Sequence, residues 1–323
     1  MAVMPQASEL LHSQRFASFW LALIVIAYVA IASLYAARVP AWQAPDEPAH
    51  YNYVHELAST GQFPVLRMGD YDEAYLEQLK SQGFPPSLPI HPVRYEAHQP
   101  PLYYVLASVI FRLTQGQLLF LRLFSVALGA IFVVLTYEIV RQIYPQRAAV
   151  RLAAAAFVAF LPMHVASAAS VNNDALAEVM LATILLLSIR YLRHWLLGPE
   201  PPRWTEALAL GLLLGMALIT KVSAYVAVPV LLATLIMARY ETRRSPLAYR
   251  LSSEPASQGP RSTYLTHAAL IFLPALIIAL PWYARNMQAV SYTHLDVYKR
   301  QTYKRLNTCH MESIWSYGMR MPE

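Results

Sequence analysis

The sequence predicts an all-α polytopic membrane protein, and three observations predict it. Hydrophobic residues make up 57% of the 323-residue chain and charged residues only 14%, against about 25% charged in a soluble domain. The apolar residues come in long runs, about seven of them near the ~20 residues that cross a hydrocarbon core. The basic residues gather at the ends of those runs rather than along one face. With a net charge of +6, that placement speaks for a lipid bilayer as partner and against nucleic acid. The single cysteine, Cys309, rules out an intrachain disulfide and says nothing of redox compartment.

Candidate spans are 16–37, 118–140, 152–171, 175–195, 205–222, 223–239 and 265–284. The first reads as a signal anchor rather than a cleaved signal peptide. The run 101–114 is too short to span readily. It starts at a proline pair, which suits a first helical turn, and reads as an interfacial or re-entrant helix. Orientation follows from arginine. Arg141, Arg147 and Arg151 crowd one connection, Arg190, Arg193 and Arg203 a second, and Arg239, Arg243, Arg244, Arg250 and Arg261 a third. By the positive-inside rule these face the cytoplasm. The connection at Asn172–Asp174 and the long loop 38–100 then face out, and the N-terminus lies inside. That loop exceeds the ~12–15 residues of an ordinary connection and carries Tyr51, Tyr53, Tyr71, Tyr75 and Tyr95, so it is expected to be ordered at the membrane surface.

The segment VSYTHLDVYKRQ, 290–301, back-translates into an inverted repeat of about 19 bases per arm once Ala289 is included, as expected of a cloning or library scar. The expected organisation is therefore a membrane domain over 1–288, a scar at 289–301, and a tail of unknown origin at 302–323.

Chemistry-bearing residues collect on the predicted outer face. Asp46 and Glu47, in APDEPAHYNYVHEL just past the first span, form an acidic pair that suits a base, a metal ligand, or both. A divalent cation (magnesium, manganese or calcium) is the one cofactor this suggests. Glu96 and His98, in RYEAHQPPLYY, precede the short helix, whose N-terminus favours an anion. Tyr103 lies on it. Asp174 suits an N-cap as well as an active-site acid. Glu178, one turn further in, is an ionisable group at membrane depth. Lys221 and Arg285 are outer cations, disfavoured by the positive-inside rule and suited to an anionic head group. Arg112 and Arg122 fit either anchoring or binding. His164 reads as a satisfied polar group inside the bundle. Neither a phosphate-binding glycine loop nor a nucleophile elbow is present in the sequence.

Together the segments PDEPAHYNYV, RYEAHQPPLYY, LRLFSVALGAIFVVLTYEIVRQIYP, SVNNDALAEVMLA, GLLLGMALITK and LPWYARN resemble, in order, the membrane half of the GT-C glycosyltransferases. More closely they resemble bacterial members of the family 39 group, related to protein mannosyltransferases and aminoarabinose transferases. The resemblance covers 16–288. It implies a GT-C helical bundle in a bacterial inner membrane and an enzyme that moves a sugar, with inversion, from a polyprenyl-phosphate carrier to an acceptor hydroxyl on the outer face. It implies Asp46 as the base and Asp174 as a second acid, with Glu47 beside them. It puts His98 and Lys221 near the donor phosphate, with Glu96, Tyr103 and Arg285 as further donor-binding candidates. Relatives continue into further spans that are absent before the expected scar.

A related, unassigned family of polytopic membrane proteins, a transporter and a non-catalytic scaffold remain as alternatives. A transporter places its charges near mid-membrane, whereas these gather at one face. The discriminating question is whether Asp46, Asp174, His98 and Lys221 come together.

Overall fold

The computed structural model describes residues 7–67, 69–197, 202–244 and 264–289, so the expected scar beyond Ala289 and the tail lie outside the described residues. The described residues form helices and turns with no strand. In chain order these are α1 (Ala7–Arg38), α2 (Glu47–Thr60), α3 (Glu73–Ser81), α4 (Leu102–Leu113), α5 (Leu118–Ile143), α6 (Ala148–Ala159), α7 (Pro162–Ala168), α8 (Asp174–Leu197), α9 (Trp204–Leu218), α10 (Ala227–Arg244) and α11 (Tyr264–Ala289). Short 3-10 turns occupy Tyr95–His98 and Val222–Val226.

Five helical stretches are long and apolar enough to cross a membrane, and α6 with α7 makes a sixth if that bent pair is one span. The expected count of about seven is thus not confirmed. Two local causes account for the difference. The expected span 152–171 breaks after Ala159 and bends by 58°, because Pro162 has no N–H and its ring excludes a helical turn before it. The expected span 205–222 ends at Leu218 after 15 residues, about 22 Å at 1.5 Å per residue. The chain then extends at Lys221 (φ −159°, ψ 150°), and the Ile219 carbonyl accepts the Leu102 N–H at 2.9 Å. Helix α4, at 12 residues, is short as expected.

Helix α5 is the central post, packing against α1, α4, α6, α7 and α8. Three apolar clusters surround it or extend from it. One joins α2, α4, α5 and α8 around Tyr53, Tyr104, Leu121 and Leu176. A second joins α8 to α11 around Ile184, Leu210, Leu231 and Ile271. The third joins α1 to α5, α6 and α7 around Tyr28, Val133 and Ala155. Gly129 is required in the third, because a Cβ there would collide with the Tyr28 hydroxyl.

The bundle has two chemically distinct ends. One carries the loop 39–101, the starts of α5 and α8, and the α9–α10 connection. The opposite end carries Arg141, Arg147, Arg151, Arg190 and Arg193. There Arg141 pairs with Glu138 at 2.7 Å, Arg190 approaches the same carboxylate at 3.6 Å, and Arg193 donates to the Gln142 carbonyl at 2.8 Å.

Candidate active site at the loop-bearing end

The site is organised by one buried ion pair. Glu47 is fully buried and Arg122 is 3% exposed. Arg122 Nε and Nη2 donate to the two Glu47 carboxylate oxygens at 2.7 and 2.6 Å, the side-on geometry that suits a planar guanidinium. Arg122 Nη1 donates to the carbonyls of Ala36 and Val39, both at 2.7 Å, and Nη2 to Pro40 at 3.1 Å. Glu47 also accepts from the Trp42 and Val171 amides at 3.1 and 3.2 Å. One arginine therefore caps the end of α1, and one carboxylate fixes the start of α2 to the α7–α8 connection. Each carboxylate oxygen has two donors, so Glu47 has no capacity left for a substrate or a cation. The expectation that Glu47 joins Asp46 as a catalytic or metal-binding pair is corrected on this ground.

Asp46, its neighbour, is exposed. It sits at the N-cap of α2 in the left-handed region (φ 60°, ψ −1°), which aspartate tolerates better than most residues but at some cost. Its carboxylate accepts a hydrogen bond from the Tyr95 hydroxyl at 2.7 Å. Burial and the adjacent Asp46 carboxylate push the Tyr95 hydroxyl far above its ordinary value, so it stays protonated and donates. Tyr71 packs edge-on against Tyr95 at 5.6 Å.

The 3-10 turn after Tyr95 brings in Glu96 and His98. Glu96 is 9% exposed, and its Oε2 is buried without a hydrogen-bond partner. Burial raises its carboxyl pKa, partly offset by a hydrogen bond with Gln99. His98 is exposed, and its Nδ1 lies 2.9 Å from the Tyr95 carbonyl. A carbonyl only accepts, so Nδ1 carries the proton and Nε2 is left for another partner. The His98 carbonyl is held in turn by the Asn286 side chain of α11 at 3.1 Å.

Asp174 opens α8, and its Oδ1 lies 2.5 Å from Lys221 Nζ; both side chains are partly open, at 37% and 23% exposure. Asn173 steadies this corner by donating to the Gln99 side chain and the Thr220 carbonyl, both at 3.3 Å.

The charges of these groups are felt by His50. The His50 ring is buried on α2 and bonded through Nδ1 to the Tyr104 hydroxyl at 2.7 Å. Burial pulls its pKa down to about 4, and the charges of Asp46, Lys221, Asp174 and His98 all act on it. Glu96 likewise feels His98, Asp46 and Lys221. Asp46, His98, Asp174 and Lys221 thus all act electrostatically on His50.

The remaining candidates have other work. Tyr103 is fully buried, bonded to Ser125 Oγ at 2.9 Å and to the Asn172 amide at 3.2 Å, and its expected donor-binding role is corrected to a structural one. Arg285 holds the carbonyls of Phe63 and Pro64 at 2.8 and 3.1 Å and lies 4.8 Å over Trp282, so it ties the loop to α11. Arg112 caps α2 through Ala58 and Leu57. His164 pairs with Glu178 at 3.3 Å, but its Nε2 is buried without a partner, so it is only half satisfied.

Sequence reasoning missed His50 as the hub and Tyr95 as the group that holds Asp46. The signal for His50 was available: it stands four residues after Asp46, one helical turn along α2. A divalent cation does not fit the residues as placed. Glu47 is fully used, and among the described residues no group of three or more His, Cys, Asp or Glu is arranged to hold a metal.

Residues 98–253 match the family described as Dolichyl-phosphate-mannose-protein mannosyltransferase. This stretch belongs to that family, within the GT-C superfamily. The matched region begins at His98 and includes Asp174 and Lys221. Asp46 and Glu47 precede it, and its last residues lie outside the described part of the chain. No curated protein matches the chain. The family match and the bundle together support a multi-pass membrane glycosyltransferase of the GT-C type.

Proposed function

We propose that this glycosyltransferase moves a sugar from a polyprenyl-phosphate carrier to an acceptor hydroxyl on the outer face of a bacterial inner membrane, with the N-terminus cytoplasmic. The observation that carries the reading is that an exposed carboxylate, Asp46, and the partly exposed Asp174–Lys221 ion pair lie at the loop-bearing end of the bundle and both act electrostatically on the buried His50.

Asp46 accepts the proton of the acceptor hydroxyl as its oxygen bonds to the anomeric carbon. The bond from that carbon to the phosphate oxygen breaks, and the polyprenyl phosphate leaves with the electron pair. A single displacement inverts the anomeric carbon. A phosphate is a fair leaving group, so the demand is for a base at the acceptor and positive charge at the departing oxygen. Lys221 supplies that charge, held in place by Asp174, and His98 Nε2 is a second contact once protonated. Tyr95 holds the Asp46 carboxylate in one orientation, which is where most of the entropic gain of a positioned base arises.

The test is to supply the natural reading frame containing residues 1–288 with a polyprenyl-phosphate hexose and follow carrier release and product stereochemistry. Release of polyprenyl phosphate with inversion supports the reading. Retention of configuration, or use of a nucleotide sugar instead, overturns it.

A further inference from the structure

Arg151 stands at the other end of the bundle, on the first turns of α6. It is 4% exposed, and its Nε is buried with no hydrogen-bond partner. Among the described residues its guanidinium makes no hydrogen bond or ion pair. The nearest acidic group on the facing helix, Glu138, is engaged by Arg141 and Arg190. Its one favourable contact is the Tyr137 ring, 5.4 Å from the guanidinium carbon. A cation–π contact is a weak substitute for the counter-ion that a buried guanidinium needs.

We propose that Arg151 anchors the phosphate of an anionic lipid head group at the arginine-rich end of the bundle. The backbone there is ready for it. The N-cap residue Arg147 makes no side-chain cap bond, so the first amides of α6 point outward with the positive end of the helix dipole. The Cα–Cβ bond of Arg151, in the first turn of α6, leans toward that N-terminus. Arg15 and Arg147 are exposed at this end and add the charge that concentrates anionic lipid. The surrounding surface suits acyl chains: Phe16, Phe19 and Trp20 of α1 are 60%, 59% and 43% exposed, and Ile143 is 55% exposed. A phosphate seated there accepts from Arg151 and the α6 amides together, as anions do at helix N-termini. The proposal does not depend on the transfer reaction.

The test measures binding to the full chain in neutral detergent. The probes are dioleoylphosphatidylglycerol, dioleoylphosphatidylcholine and inorganic phosphate, read by native mass spectrometry and by melting temperature. Phosphatidylglycerol is expected to be retained and to raise the melting temperature, with phosphatidylcholine and phosphate doing neither. Arg151→Gln is expected to weaken phosphatidylglycerol about tenfold or more, the loss of one charge-assisted contact. Arg151→Lys keeps part of that affinity. Arg147→Gln, a change at an exposed charge, costs less than about threefold. Equal affinity of the parent chain for the two lipids overturns the proposal without any variant having to fold. Undiminished phosphatidylglycerol binding by Arg151→Gln also overturns it. Protection by inorganic phosphate equal to that by lipid assigns the pocket to a free anion and overturns the lipid source.

Discussion

Glu47 and Asp46 are neighbours in the chain and lie at the same end of the bundle, yet their surroundings differ in every respect. The region around Glu47 is closed. Arg122 meets its carboxylate side-on, two amides complete it, and the remaining arginine donors go to the last carbonyls of α1. The region around Asp46 is open, with one donor from Tyr95 and a partly exposed Asp174–Lys221 pair in the same electrostatic neighbourhood. A charge whose partners are complete holds the fold together, and a charge with capacity left is available to chemistry. The same contrast separates Arg122 from Arg151 at the far end.

The largest expected effect is on the closed region. Arg122→Met leaves a buried carboxylate unpaired and should lower stability by about 3–5 kcal/mol, seen as a fall in melting temperature or loss of folded protein. Removing both charges, as Glu47→Leu with Arg122→Met, should recover only part of it, because the carbonyls of Ala36, Val39 and Pro40 still lose their donor. Full recovery would show that the pair is dispensable and erase the contrast.

In the open region Lys221→Ala should change stability by only about 0–1 kcal/mol, since its pair is partly solvated. Donor use should nevertheless fall about 10- to 100-fold in kcat/KM, the size of a charged hydrogen bond to phosphate. A large loss of stability with little loss of rate would move Lys221 into the structural group.

A smaller effect follows from His50, which is buried and feels the charges of the open region. Its folded pKa of about 4 lies below its ordinary 6.5 because burial disfavours the charged ring. The neutral ring's contribution is fully present above about pH 6.5 and is lost as pH falls toward 4, up to about 3 kcal/mol. Melting temperature should therefore drop across that window, and His50→Gln should flatten the drop. An unchanged slope in the variant would assign the pH dependence to other groups.

Much of this was legible in the sequence, and the failures have physical causes. The long apolar runs of α1, α5 and α8 announce themselves, because a bilayer demands length and apolarity and little else. Whether Asp46, His98, Asp174 and Lys221 come together was the question the sequence left open, because the motifs that carry them lie far apart in the chain. What could not be read was the direction of each side chain. DE at 46–47 looks like a pair, but the left-handed turn at Asp46 sends one carboxylate into Arg122 and the other outward. Arg122 and Lys221 both sit beside predicted span ends, and only packing shows that one is sealed by α1 carbonyls and the other is not. The break of 152–171 at Pro162 carried a signal, since proline inside an apolar run ends a helix. The early end of α9 carried none, because the backbone bond from Leu102 to Ile219 is a tertiary contact.

The central claim is that Asp46, and not Glu47, is the base. The direct measurement is turnover of a verified polyprenyl-phosphate sugar by Asp46→Asn in the natural reading frame, with donor binding measured beside it. A positioned base contributes about 10²–10⁴-fold in rate, so turnover should fall by that factor while donor binding and melting temperature stay near parental values. Near-parental turnover by Asp46→Asn would contradict the account.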